Sequence, residues 1–170
     1  MKRAAPGGAW VQALRAGADQ PPLAPRVPLW ASEACIGSVE PDYLARAMVP
    51  RRLVKRVARG GESGWQVLGD LTSSLHEMSH ALREAGLAHT WRDEQLAVCD
   101  ADGNRLGTVE RAVVRCLGIT TLAVHLAGFA PDGRHWLQLR ALTKANDPGR
   151  WDTLVGGMVA AGDSDRKSVV

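Results

Sequence analysis

A chain of 170 residues with 45% hydrophobic and 23% charged side chains has the balance of a folded globular protein, outside the disordered and fibrous classes. The length suits one ordinary domain with a core, or one small domain and part of a second. A formal charge of +3 and a pI near 9.0 are too mild to mark a nucleic-acid partner; no apolar run could cross a bilayer, and the N-terminus lacks the apolar stretch of an export signal.

Residues Ala9 to Ala16 can form a short helix, which the proline-rich run from Gln20 to Pro28 ends, because proline lacks the N–H and restricts the residue before it. Leu29-Trp-Ala and Cys35 to Val39 read as short strands around a turn, and Pro41 to Met48 as a helix with proline in its first turn. Arg59-Gly-Gly-Glu-Ser-Gly reads as a flexible loop. The basic run Arg51, Arg52, Lys55, Arg56 and Arg59 is first a solvated helix face or loop; a nucleic-acid or anionic-ligand site is the sharper reading, and no aromatic interleaves the charges as in single-strand binders.

Asp70 is a good N-cap for the clearest helix, in which Leu71, Leu75, Met78, Leu82 and Ala85 form one apolar stripe, and Gly86 is its C-terminal stop. The period then changes. Leu96 to Cys99 and Leu106 to Val109 form a hairpin around Asp100-Ala-Asp-Gly-Asn, and Thr121 to Ala127 with His135 to Arg140 a second one around Ala130-Pro-Asp-Gly. A domain boundary falls near Gly118. Most of the 6 Trp belong to core or hairpin packing. Cys35, Cys99 and Cys116 are odd in number and widely spaced, which points to a reducing compartment, by default the cytoplasm.

His76-Glu-Met-Ser-His80 matches H-E-x-x-H, where two histidines one turn apart bind Zn²⁺ and the glutamate activates a water. The apolar stripe centres on Leu75 and Leu82, which turns both histidines to solvent. The third-ligand candidates His89, Glu94 and Glu110 have no supporting spacing, so a surface face is expected rather than a zinc centre.

From Trp91 onward the chain resembles a branch of the Nudix hydrolases that carries a preceding domain of uncharacterised function and is related to a region of certain thiamine pyrophosphokinases. The resemblance rests on Trp91-Arg-Asp-Glu94, on Glu110-Arg111 followed by Leu117-Gly-Ile, on Val124-His-Leu-Ala-Gly-Phe129, and above all on Leu142-Thr-Lys-Ala-Asn-Asp-Pro-Gly-Arg-Trp-Asp-Thr-Leu-Val-Gly-Gly157. It implies an α+β chain: a small mixed α/β domain over residues 1–117, then the first strands of a Nudix α/β/α sandwich over 118–164. Gly156, Gly157, Gly162 and Asp163 take Nudix-box positions, Asp163 standing where the motif has Glu. The Arg-Glu-x-x-Glu-Glu helix that holds the metal would follow, so no catalytic or metal residue is assigned within the 170, and Mg²⁺ is expected only with that helix. The implied substrate is a small-molecule diphosphate, thiamine diphosphate or its oxidised forms.

Hydrolysing a diphosphate requires charge neutralised on its oxygens and a water placed in line, which carboxylate-held Mg²⁺ supplies. Arg140 and Lys144 precede the box and could contact a substrate phosphate, with exposed strand-end charges as the equal alternative. Trp136 and Trp151 are expected to pack rather than to stack on a substrate ring. Asp165-Arg-Lys-Ser-Val-Val170 departs from the family and matches one frame of a common short-read sequencing adapter, GAT CGG AAG AGC GTC GTG, followed by a stop; the natural sequence is expected to diverge after Ser164. Without the helix the chain is expected to be inactive and to associate through exposed apolar strands. The competing reading is a non-catalytic binding module for an anionic ligand or partner, and a metalloprotease comes third.

Overall fold

The computed structural model describes residues 8–18, 20–144 and 147–163; the adapter-like segment 165–170 lies outside the described residues. The architecture is α+β. Helix α1 (Ala9–Ala18) precedes a four-stranded sheet of β1 (Val27–Ala31), β2 (Ala34–Val39), β3 (Val54–Arg59) and β4 (Glu62–Val67), with the short helix α2 (Tyr43–Arg46) between its hairpins. The sheet order is β2-β1-β4-β3: each hairpin is antiparallel, and β1 joins β4 in parallel.

The 59–64 segment is therefore no loop. Gly60 (φ 57°) and Gly61 (φ 87°) form a two-residue hairpin turn with both central residues at positive φ, a turn that matches the strand twist and that glycine enters without steric penalty. The basic run consequently sits mostly on β3 rather than on a helix face. The helix expected over Pro41–Met48 shrinks to Tyr43–Arg46: its N-cap Asp42 makes no side-chain cap bond, and Met48 at φ 51° breaks the helical path just before Pro50.

Helix α3 (Leu71–Glu84) follows the sequence pattern closely. Asp70 Oδ1 accepts the Ser73 N–H at 2.9 Å and the Ser73 hydroxyl at 2.7 Å, which holds the Asp70 carboxyl below its ordinary range. At the other end Gly86 (φ 68°) donates to Arg83 O and Leu87 to Leu82 O, the paired bonds of a Schellman stop. Leu75, Met78 and Leu82 are fully buried, each contributing roughly 1.5–3 kcal/mol of apolar burial. Their stripe lies on β6 and β4.

The hairpin of β5 (Gln95–Cys99) and β6 (Arg105–Glu110) forms as expected, its turn held by Asp100, which accepts the N–H groups of Asp102 and Asn104. A 3-10 turn (Arg111–Val113) follows and contributes Val113, with Val114 and Leu117 beyond it, to the core. Gly37 of β2 lies against the Leu117 carbonyl, where an added Cβ would come within 2.4 Å.

The buried core is drawn from Leu29 to Ile119. Beyond it the second expected hairpin divides. Only β8 (Gly128–Phe129) pairs with β9 (His135–Leu139) around the turn, while β7 (Ala123–Leu126) pairs instead with β11 (Val155–Met158), and β9 takes β10 (Trp151–Thr153) as its other neighbour. Of these strands Met158 packs against the core, whereas Phe129, Trp136, Leu137, Leu139 and Trp151 are all more than half exposed. This corrects the packing expected of Trp136 (60% exposed) and Trp151 (71%): no layer among the described residues covers these strands.

Candidate functional site

The proposed box positions lie on β11 and the segment after it. Gly156 pairs with His125 and Gly157 with Val124 on β7. A Cβ on Gly156 would meet the His125 ring at 2.6 Å, so glycine is required there for the ring to lie across β11, where His125 Nδ1 reaches Thr153 Oγ1 at 2.9 Å. Gly157 faces open space, and its backbone is accessible to a close-approaching group. After β11 the chain returns to the first hairpin: Ala161 N–H donates to Gln95 O at 2.7 Å, Leu96 bridges Ala160, and Arg105 Nη1 donates to Ala161 O at 2.8 Å. These bonds place Gly162 and Asp163 on the surface beside β5, with the Asp163 N–H donating to Ala160 O.

Arg140 and Lys144 belong to a different part of this region. Arg140 Nη1 donates to Asp152 Oδ2 at 2.7 Å and Nε to Asp147 O at 3.1 Å, so the guanidinium clamps the two sides of the connection between β9 and β10. The hydrogen bond from Arg140 is the main cause that holds the Asp152 carboxyl below its ordinary range, with the Thr153 N–H second. Lys144 is exposed in the turn of that connection. Arg140 is thus engaged in holding the loop, and Lys144 has the freer ammonium.

In the H-E-x-x-H segment His76 and Glu77 are exposed, as their phase on the helix implies, whereas His80, expected to face solvent, is half-buried beside Trp91. His76 is exposed; His80 lies between the His76 ring, with centroids 4.6 Å apart, and the Trp91 ring at 5.1 Å. Glu77 is ion-paired with Arg52, and Glu94 with Arg111. Among the described residues no group of three His, Cys, Asp or Glu is placed to hold a metal ion. The basic run is similarly occupied: Arg59 pairs with Glu33, and Arg56 stacks on Trp65 at 4.3 Å and donates to Pro41 O, while Arg51 and Lys55 are exposed.

Two of the resembling segments, far apart in the sequence, meet in the fold. Glu110 is 1% exposed and its carboxylate accepts three backbone N–H groups, from Arg92 at 3.1 Å, Glu94 at 3.2 Å and Ala112 at 3.2 Å. Arg111 Nη1 closes the same junction on Glu94 Oε2 at 2.5 Å. Trp91-Arg-Asp-Glu94 and Glu110-Arg111 therefore form one unit in space. The available signal was a pair of acid–base motifs 16 residues apart, flanking a hairpin whose arms must run back together.

No family model matches the chain. It is similar to an uncharacterised Nudix hydrolase of Pseudomonas aeruginosa, 37% identical over 70 residues, which are 41% of this chain and 41% of that protein. The chain thus aligns with less than half of the length of the curated relative it matches. The similarity supports a Nudix relationship. No described helix is long and apolar enough to cross a membrane.

Proposed function

We propose, on the premise of that Nudix relationship, that residues 1–117 are a mixed α/β domain and residues 118–164 the opening strands of a hydrolase that cleaves a diphosphate linkage, with 165–170 foreign to it. The observation that carries this reading is the bare apolar surface of β7–β11, where Leu126, Phe129, Leu137, Leu139 and Val155 await a covering layer next to Gly156 and Gly157. A carboxylate-bearing helix following Asp163 would supply that layer and the metal ligands together. The described residues do not themselves suffice for Mg²⁺, since Asp163 is an isolated exposed carboxylate and magnesium is bound through carboxylates that share one site.

The contribution of this chain is positional. Gly157 leaves the backbone of β11 open to a substrate or metal, the Arg140–Asp152 pair fixes the loop that carries Lys144, and Lys144 provides a charge for a phosphate oxygen. Thiamine diphosphate or its oxidised forms are the substrates proposed, by resemblance.

The test begins with the source DNA, read in long, adapter-trimmed reads across the codon for Ser164. The expected result is a frame that continues into a helix bearing Arg-Glu and paired Glu, with Mg²⁺-dependent release of phosphate from thiamine diphosphates by the extended protein and none by residues 1–170. A natural stop after Val170, or equal turnover by the 170-residue chain, overturns the reading; the stop would move the assignment to a non-catalytic binding module.

A further inference from the structure

The junction organised by Glu110 also shapes a small cavity of about 180 Å³, lined by His89, Thr90, Arg92, Arg111, Arg115 and, from β11, Met158. Its polar side chains are three arginines with His89 and Thr90, and no carboxylate residue lines it. Arg111 is partly neutralised by Glu94, whereas Arg92 and Arg115 are exposed and have no side-chain partner among the described residues. We propose that this cavity is an oxyanion site that takes the phosphate or diphosphate group of a small molecule.

Three observations converge on that ligand. Like charges gathered around one space repel, and an anion bound between them removes the repulsion while accepting charge-assisted hydrogen bonds from the guanidinium forks. The cavity is smaller than the ~300–1,000 Å³ of pockets that enclose whole drug-sized ligands, so it suits an anionic group rather than a complete molecule. The arginines are also held by a rigid base. The buried carboxylate of Glu110 binds the N–H groups on either side of Asp93 (φ 54°), fixing the backbone that carries Arg92, and binds Ala112 N–H beside Arg111. Arg115 follows on the same short turn, anchored by Leu117 N–H to Val113 O and Gly118 N–H to Arg115 O. A preorganised site of this kind binds without first ordering its loops.

The site is separate from the positions assigned above to the box and to Arg140 and Lys144. It does not depend on the hydrolase reading, because it concerns residues 89–115 and is tested by binding rather than turnover. Met158 does place it one residue beyond Gly157, at the junction of the core with β11.

The experiment is calorimetric titration of the full 170-residue chain at low ionic strength with inorganic diphosphate and, separately, with methyl diphosphate. Arg92→Gln and Arg115→Gln are each expected to weaken both ligands by about tenfold, the loss of one charge-assisted contact, while Arg15→Gln on α1, which removes the same charge elsewhere, leaves both unchanged. Equal affinity for the two ligands assigns the site to the free anion, and tighter methyl diphosphate binding to the anionic end of an ester. Absence of binding by the unaltered chain, or losses in the two pocket variants no larger than that of Arg15→Gln, would overturn the proposal.

Discussion

Replacing Glu110 by alanine tests whether one buried carboxylate holds the Trp91–Glu94 loop to the 3-10 turn. The substitution deprives the N–H groups of Arg92, Glu94 and Ala112 of their acceptor. Three hydrogen bonds to a charged acceptor, at about 1.5–3 kcal/mol each, set a ceiling of roughly 5–9 kcal/mol. Two effects lower it. Arg92 is exposed, so its N–H regains water, and removing a buried charge also removes its desolvation penalty. A net loss of about 3 kcal/mol remains, which at about 2–4 °C per kcal/mol for a chain of this size lowers Tm by roughly 6–12 °C. Glu110→Gln retains a carbonyl acceptor but turns an NH₂ toward a backbone donor, so it is expected to lose about half as much. Far-UV circular dichroism followed through thermal and urea unfolding at neutral pH reads both. A Glu110→Ala variant within about 0.5 kcal/mol of the unaltered protein, the range of an ordinary surface change, would show that the carboxylate does not hold the loop.

Further outcomes follow from other sites. Gly37→Ala drives a Cβ to 2.4 Å from the Leu117 carbonyl, so β2 must separate from the segment beyond the 3-10 turn; a destabilisation of about 3 kcal/mol in urea titrations is expected, and a neutral result would show that the contact yields freely. Asp70 has its folded-state pKa lowered by the Ser73 N–H and hydroxyl, so its contribution is fully present above the ordinary value of about 3.9 and is lost as pH falls through the lowered one. Asp70→Asn, which keeps a capping oxygen without the charge, should flatten the decline of Tm in that acid window, and an unchanged slope would contradict the assignment. The exposed strands β7–β11 should make the 170-residue chain self-associate, and Leu137→Lys with Leu139→Lys should reduce it; sedimentation velocity showing a concentration-independent monomer of the unaltered chain would oppose this.

Local signals made part of this molecule legible. Asp70, the four–three spacing from Leu71 to Ala85 and Gly86 act within a few residues of one another, so α3 could be drawn with its cap, its buried stripe and its stop, and the exposure of His76 followed from the same phase, whereas the cover of His80 by Trp91 did not. The β5–β6 hairpin was equally local, because Asp100 and Gly103 shape the turn that sets its register. The strands β3 and β4 were not legible because Val57 and Trp65 alternate with charged and small residues whose spacing resembles a loop, and the β3–β4 hairpin joins the sheet through the parallel pairing of β4 with β1, a contact between distant segments.

The candidate sites divide along the same line. Gly156, Gly157 and the loop of Arg140 and Lys144 were visible as a motif, since adjacent residues on one segment carry their order in the sequence. The clamp of Arg140 on Asp152, the exposure of Trp136 and Trp151, and the departure of β7 from β9 to β11 were decided by which strands met, a choice between pairings of similar local propensity. The gathering of Arg92, Arg111 and Arg115 above a buried Glu110 belongs to this second class. In the sequence they are scattered charges expected to be solvated. Only the return of β6 alongside β5 removes water from the carboxylate, supplies backbone donors in its place and turns separate arginines into one surface.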